Sequence, residues 1–289
     1  MLEEKEDSGA PANKLNMLKQ RIITAIILAS VIISAVIFMP TQIFALVLAA
    51  IICVDAWEWA ACAGFHDMPE KFLYVSLILL CLVVCLVLLQ KQWIVLIIVC
   101  GLAWWIIAMF LVARYQMNKS INLSSRIMKA MIGGAILIPA WLSLILIHLN
   151  TSGVSLMLFL FFLIWLADSA AYFSGRKFGS KKLANNVSPG KSWEGVYGAL
   201  LMSLIFGASY AFYTDMRTIV AVYFVLLVLF TVSFSILGDL VESMFKRMAG
   251  IKDSSNILPG HGGVLDRVDS MTSAAPVFFA GLWVMERIS

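Results

Sequence analysis

Between Arg21 and Asp55 the chain carries no charged side chain, and comparable apolar stretches recur to its C-terminus. About 20 consecutive apolar residues form a helix that crosses the hydrocarbon core of a bilayer. Pro40 divides the first stretch into Ile22–Met39 and Thr41–Ala61. Phe72–Leu89 and Trp93–Val112 follow. Ala130–Ala167 is long enough for two spans and is broken by Asn150-Thr151-Ser152-Gly153. Gly195–Tyr213, Ile219–Leu237 and Ser270–Met285 complete a set of about nine. None shows the alternation of a membrane β-barrel, so the expected fold is all-α, a polytopic transmembrane helical bundle. No internal repeat is visible. Residues 1–20 read as a flexible polar tail without a cleavable leader, and 21–289 as one membrane-embedded domain.

Composition supports lipid as the solvent: 62% of the 289 residues are hydrophobic and 13% are charged, against about 25% charged in a typical soluble domain. A net charge of +4 gives no footprint for nucleic acid. With nine spans and a cytoplasmic N-terminus, every Lys and Arg except Lys91, Arg217 and Arg287 falls on the cytoplasmic side, as the positive-inside rule requires. Cys53, Cys62, Cys81, Cys85 and Cys100 lie in or beside apolar runs without a C-x-x-C pair. They read as small apolar residues rather than as a zinc or disulfide framework.

Ionisable groups inside a membrane are costly and are functional candidates by default. Asp55, Glu58, Asp168, Asp239 and Glu242 all fall near the cytoplasmic ends of their spans, and Asp266 and Asp269 lie just before the ninth. For Asp55 and Glu58 two readings stand: acids reaching interfacial water, or parts of a site. The others sit in segments rich in turn formers and bases.

The first such segment runs from Asp168 to Gly195. Gly190-Lys191-Ser192 resembles the end of a P-loop, but the required first glycine would fall at Asn185 and no strand is expected before it. A Pro189-Gly190 turn leading into span seven, with Lys191 beside it, instead suggests backbone N–H groups at a helix start that bind an anion. A plain basic anchor loop is the alternative. In the second segment Asp239, Glu242 and Ser243 share a helical face, as do Asp266 and Asp269. Carboxylates from two helices beside Lys and Arg suit a hard divalent cation that bridges phosphates, since Mg²⁺ takes one or two carboxylates plus substrate oxygens. Pro259-Gly260-His261-Gly262-Gly263 reads as a tight turn, with His261 as a phosphate or nucleotide contact.

Ser243 to Asp269 fits the pattern S-x-x-K-R-x(4)-K-D-x(4)-[LIF]-P-x-H-G-G-x-x-D-R-x-D at every fixed position. It thereby resembles the phosphatidate cytidylyltransferases, or CDP-diacylglycerol synthases. Similarity extends to Asp168–Gly179, Ser188–Gly195 and Trp57-Glu58-Trp59. The resemblance implies transfer of CMP from CTP to phosphatidate, giving CDP-diacylglycerol and diphosphate, by a homodimer; without a targeting segment in the sequence, the expected location is a bacterial inner membrane. It implies Mg²⁺ on acids matching Asp239 and Asp266, with a second cation such as K⁺ beside it. The expected catalytic residues are Asp239, Asp266 and Lys191, with Asp269 a further metal ligand. Asp168, Ser188, Lys191, Ser243, Lys246, Arg247, Lys252, Asp253, His261 and Arg267 are the expected substrate contacts. A CTP-dependent kinase of polyprenol or phytol would share the nucleotide site but release CDP. A secondary transporter would carry its acids near the midplane in related halves.

Overall fold

A computed structural model describes residues 11–87, 91–119, 121, 123–255, 257 and 262–287. The described elements are α1 (Pro11–Phe38), α2 (Thr41–Ala63), α3 (Met68–Val87), α4 (Lys91–Gln116), α5 (Arg126–Leu149), α6 (Gly153–Phe178), β1 (Lys182–Ala184), β2 (Ser188–Ser192), α7 (Trp193–Tyr213), α8 (Thr218–Met248) and α9 (Leu265–Met285). Among the described residues, α2 to α9 are each long and apolar enough to cross a membrane, and the described apolar part of α1 is Ile26–Phe38. The protein is a polytopic helical membrane protein.

Residues 11–20 are helical and open α1. Pro11 occupies the first helical position, where its missing N–H costs nothing, and no Gly or Pro interrupts the run to Phe38. The departure from helix is short, and it moves the turn expected at Pro189-Gly190. β1 and β2 form an antiparallel hairpin, pairing Lys182 with Ser192 and Ala184 with Ser188. Pro189 and Gly190 therefore lie within a strand, and the turn is at Asn185–Val187.

The helices pack in antiparallel neighbours, most extensively α8 with α9 and α6 with α7. One core cluster, around Trp59, Trp105, Trp141 and Phe245, joins α2, α4, α5 and α8. A second, around Phe159, Phe224 and Phe278, joins α6, α8 and α9. Outward faces remain apolar: Leu73, Leu77, Leu80 and Val84 form an exposed row on α3, as a lipid-facing helix requires. Close approaches fix the crossings. A Cβ on Gly101 would run into Pro139 of α5, and one on Gly133 into Trp59 and the Tyr74 hydroxyl. At the end remote from the acids, His148 contacts the Thr41 hydroxyl at 2.9 Å and the Val36 carbonyl at 3.1 Å, and stacks on Phe44. It is a satisfied structural histidine.

Helix length positions the chemistry. With 31 residues, α8 extends about 46 Å at about 1.5 Å per residue, well beyond a hydrocarbon core of about 30 Å. Counted from Thr218, the apolar core is crossed by about Leu237, so Asp239, Glu242, Lys246 and Arg247 fall on the emerging end. α8 closes there with left-handed Gly250 (φ +73°). Gly250 N–H donates to the Arg247 carbonyl and Ile251 N–H to that of Lys246, a Schellman ending that turns the chain back towards α9.

Candidate active site

The emerging end of α8 meets the start of α9. A Cβ on Gly238 would collide with Ser273 and with the Asp269 carbonyl, so only glycine allows this approach of the two backbones. Because the helices run antiparallel, Asp239 of α8 comes beside Asp269 of α9, and Lys246 comes beside Asp266. Two layers of charge result.

The outer layer is half-buried. Lys191 Nζ lies 2.5 Å from Asp239 Oδ2, and the Ser243 hydroxyl donates to Asp239 Oδ1 at 3.2 Å, the contact expected from i, i+4 spacing. Lys191 stands at the end of β2, and Ser192 after it caps α7 by accepting the Gly195 N–H. The hairpin thus carries the ammonium onto α8. Asp168, on an exposed flank of α6, is within electrostatic reach of both Asp239 and Lys191. Asp269 feels Asp239, Lys191 and Lys246, and accepts the Ser270 N–H at 2.6 Å.

The inner layer is closed. Lys246 Nζ lies 2.6 Å from Asp266 Oδ1 and 2.9 Å from Glu242 Oε1, with all three side chains largely buried. Asp266 Oδ2 accepts the Gly263 N–H at 2.8 Å, the Ser254 N–H at 3.0 Å and the Ser254 hydroxyl at 3.1 Å. Gly262 beside it is left-handed (φ +82°), and a Cβ there would press on Asp266 Oδ2.

Glu58 of α2 completes this layer. Its Oε1 accepts the Ser255 hydroxyl (2.5 Å) and Val264 N–H (3.1 Å); its Oε2 accepts the Ser254 hydroxyl (2.7 Å) and Leu265 N–H (2.8 Å). The free N–H groups that open α9 are therefore capped by a carboxylate from another helix, where a negative charge is favoured. Its neighbours anchor α2: Trp59 Nε1 donates to the Lys129 carbonyl while its ring packs on Phe245, and Trp57 packs on Phe72. Of the two readings of Asp55 and Glu58, acids reaching interfacial water does not hold for either, since they are 0% and 1% exposed. Neither oxygen of Asp55 has a hydrogen-bond partner among the described residues.

Of the sequence-expected residues, Asp168, Lys191, Asp239, Ser243, Lys246, Asp266 and Asp269 are brought together. Ser188 is half-buried in the hairpin, pairing with Ala184 rather than lying against the acids. Arg247 is exposed and donates to the Val187 and Ile251 carbonyls, tying the hairpin to the loop after α8. Lys252 and Asp253 are exposed on that loop, and Arg267 is exposed on the first turn of α9. His261 lies outside the described residues. Sequence reading passed over Ser254 and Ser255, whose only local signal is two hydroxyls following Lys252-Asp253. Among the described residues no three acidic, Cys or His side chains form a ready-made metal cage.

A helical membrane enzyme with carboxylates and lysines gathered at one end of the bundle is the class that fold and site define. The family model described as "Cytidylyltransferase family" matches residues 19–285. The chain is 43% identical to a phosphatidate cytidylyltransferase of Pseudomonas aeruginosa over 92% of its own length and 97% of that protein's. It is 36% identical to one of Haemophilus influenzae, over 91% and 97% respectively. A Bacillus subtilis phosphatidate cytidylyltransferase is 39% identical over 46% of this chain and 49% of its own length. The chain belongs to the cytidylyltransferase family.

Proposed function

We infer that the protein is a phosphatidate cytidylyltransferase, converting CTP and phosphatidate to CDP-diacylglycerol and diphosphate. The observation that carries this reading is the α8–α9 junction, where Lys191, Asp239, Lys246 and Asp266 meet at the end of the apolar bundle. A lipid phosphate anchored by its acyl chains and a water-soluble nucleotide can both reach such a place.

The reaction needs positioning more than a strong base. A phosphomonoester has a second pKa of about 6 and is largely dianionic near neutral pH. One phosphatidate oxygen forms a bond to the α-phosphorus of CTP as the bond from that phosphorus to the diphosphate oxygen breaks. The attacking lone pair becomes the new P–O bond and the pair of the broken bond leaves on the diphosphate oxygen, so no protein group must take a proton. The obstacle is repulsion between two polyanions, which cations and alignment overcome. Lys191, held against Asp239 in the half-open layer, neutralises phosphate charge on arrival. Ser243 and Asp269 orient the Asp239 carboxylate and its surroundings. Lys246 holds Asp266 and Glu242 side by side.

The donor set suits Mg²⁺. Asp239 and Asp266 offer hard oxygens, each already beside an ammonium group, and two carboxylates from different helices are what an ion sharing its shell with substrate oxygens requires. Asp239 and Asp266 would hold the ion, with Asp269 adjoining. When bound, Mg²⁺ supplies charge neutralisation on the phosphates and on the departing diphosphate. A second cation such as K⁺ belongs to the same reading. So do a homodimer, a cytoplasmic site and a bacterial inner membrane. Orientation is supported by the distribution of Lys and Arg; the dimer rests on the family resemblance.

The test is product identification. Purified protein given CTP, phosphatidate and Mg²⁺ should form CDP-diacylglycerol and diphosphate in equal amounts. Release of CDP with phosphorylation of a lipid alcohol would assign the chain to the kinase class instead.

A further inference from the structure

We propose that a groove at the end of the bundle remote from the acids binds one anionic phospholipid, with an acyl chain between the helices and the phosphate at Arg287. The site is separate from the transfer reaction and does not depend on it.

The groove lies between α4 and α9, with Leu146 of α5 also in its wall, and holds about 300 Å³. Its sides are Ile94, Ile98 and Leu102 of α4 and Phe279, Ala280 and Trp283 of α9, and no polar atom faces it. From Ile94 to Leu102 it follows about 12 Å of α4, at about 1.5 Å per residue. That is most of one leaflet of a hydrocarbon core about 30 Å thick. Val99 and Val284 on its rim are exposed, so the groove opens outward, where the surrounding medium is hydrocarbon. A lipid tail entering it meets side chains of three helices instead of one outward face.

The mouth of the groove supplies the charge. The Arg287 guanidinium lies 4.1 Å from the ring centroid of Trp283, a wall residue, so a cation stands directly on the groove. The neighbouring carboxylate is drawn elsewhere: Glu286 Oε1 accepts from Asn150 Nδ2 at 2.6 Å, in the turn between α5 and α6. Lys91, the first residue of α4, precedes Ile94 by one turn. Only three Lys and Arg residues are expected on this side of the membrane, where the positive-inside rule disfavours them. Two of the three, Lys91 and Arg287, thus stand at the ends of the two helices that form the groove, and the third, Arg217, precedes α8. A guanidinium at the helix end meets a lipid phosphate at the level of the headgroups and pairs with it through two N–H groups. A zwitterionic lipid brings its own ammonium group to that phosphate, whereas an anionic lipid leaves a net charge for Arg287 to neutralise. An apolar channel of one leaflet's depth with a cation at its mouth therefore fits an anionic phospholipid.

The test titrates the purified full chain, in neutral detergent, with phosphatidylglycerol or with phosphatidylcholine of the same acyl chains, and counts bound lipid by native mass spectrometry. Neither lipid carries the phosphomonoester that the transfer reaction uses, so failure of the assigned reaction leaves this result untouched. Wild type should retain one phosphatidylglycerol about fivefold or more tightly than phosphatidylcholine. Arg287→Ala should lose about fivefold in phosphatidylglycerol affinity, the contribution of one basic side chain at a charged lipid surface, and Arg287→Glu should abolish the preference. Val99→Trp, which brings an indole into the groove from its rim, should weaken both lipids alike. Arg217→Ala should change neither. All four substitutions fall at exposed positions, and the lipid-free variants should melt near the wild-type temperature. Equal retention of the two lipids by wild type, or wild-type retention in both Arg287→Glu and Val99→Trp, overturns the proposal. A dimer that Val99→Trp splits, with no lipid retained by either form, gives the groove to a second copy of the chain and overturns it as well.

Discussion

Lys191 and Asp239 come from a strand and a helix with 47 residues between them in sequence, yet their charged atoms lie 2.5 Å apart in a half-open layer. A pair this accessible contributes only about 0.2–1 kcal/mol to stability. Its value is in catalysis, where losing one preorganised charge contact costs about a hundredfold or more in turnover. Lys191→Ala should therefore lower kcat/KM for CTP by about that factor while shifting the melting temperature little. A large loss of stability with near-normal turnover in the folded fraction would contradict this division.

Lys246 behaves in the opposite way. Its ammonium separates two buried carboxylates, Glu242 and Asp266. Lys246→Met leaves two acids facing each other with no cation, and removing one partner from a buried ion pair costs about 3–5 kcal/mol. That is a large part of a typical folding free energy of about 5–15 kcal/mol. The expected outcome is a clearly lower melting temperature and poor yield, partly recovered in Lys246→Met/Glu242→Gln because one of the two facing carboxyl groups is gone. Thermal melts in detergent check both. Equal stability of Lys246→Met and wild type would mean that water already reaches the cluster.

The metal assignment is tested by a matched pair of variants. Asp266→Asn should lose most activity, and added Mg²⁺ should not restore it. Arg217→Ala, at the far end of α8 and exposed, should retain wild-type turnover. Chelation of divalent cations should silence wild type, and Mg²⁺ should revive it. Activity that survives the chelator would remove the ion from the mechanism and leave Lys191 and Lys246 as the neutralising groups.

The spans were legible in the chain because charge-free runs interrupted by Pro40 or by Asn150–Gly153 leave the backbone in lipid few alternatives to helix. The site was legible where helical spacing encodes it: Asp239 with Ser243, and Asp266 with Asp269, share faces that the structure brings to one junction. The β-hairpin was not. Strands of three and five residues show no useful alternation, and Pro189-Gly190 imitates a turn. Glu58 is the clearest case of information absent from local sequence. Its partners Ser254 and Leu265 are 196 and 207 residues away, and an acid near a helix end looks the same whether it meets water or four buried donors.

Asp55 lies one turn deeper than Glu58 on α2 and offers a contrasting case. It is fully buried, and neither carboxylate oxygen meets a donor among the described residues. A buried polar group without a partner destabilises the fold, a charged one most of all. Removing that liability should cost nothing. Asp55→Leu, which removes the polar atoms at similar volume, is accordingly expected to melt at or above the wild-type temperature and to keep its Mg²⁺ requirement. Thermal melts of the purified chain at rising Mg²⁺ concentration read both properties. A melting temperature several degrees lower, or a raised Mg²⁺ requirement, would show that Asp55 holds a bound cation or an ordered water in the working enzyme. The charged site would then extend one helical turn further into the membrane than the α8–α9 junction.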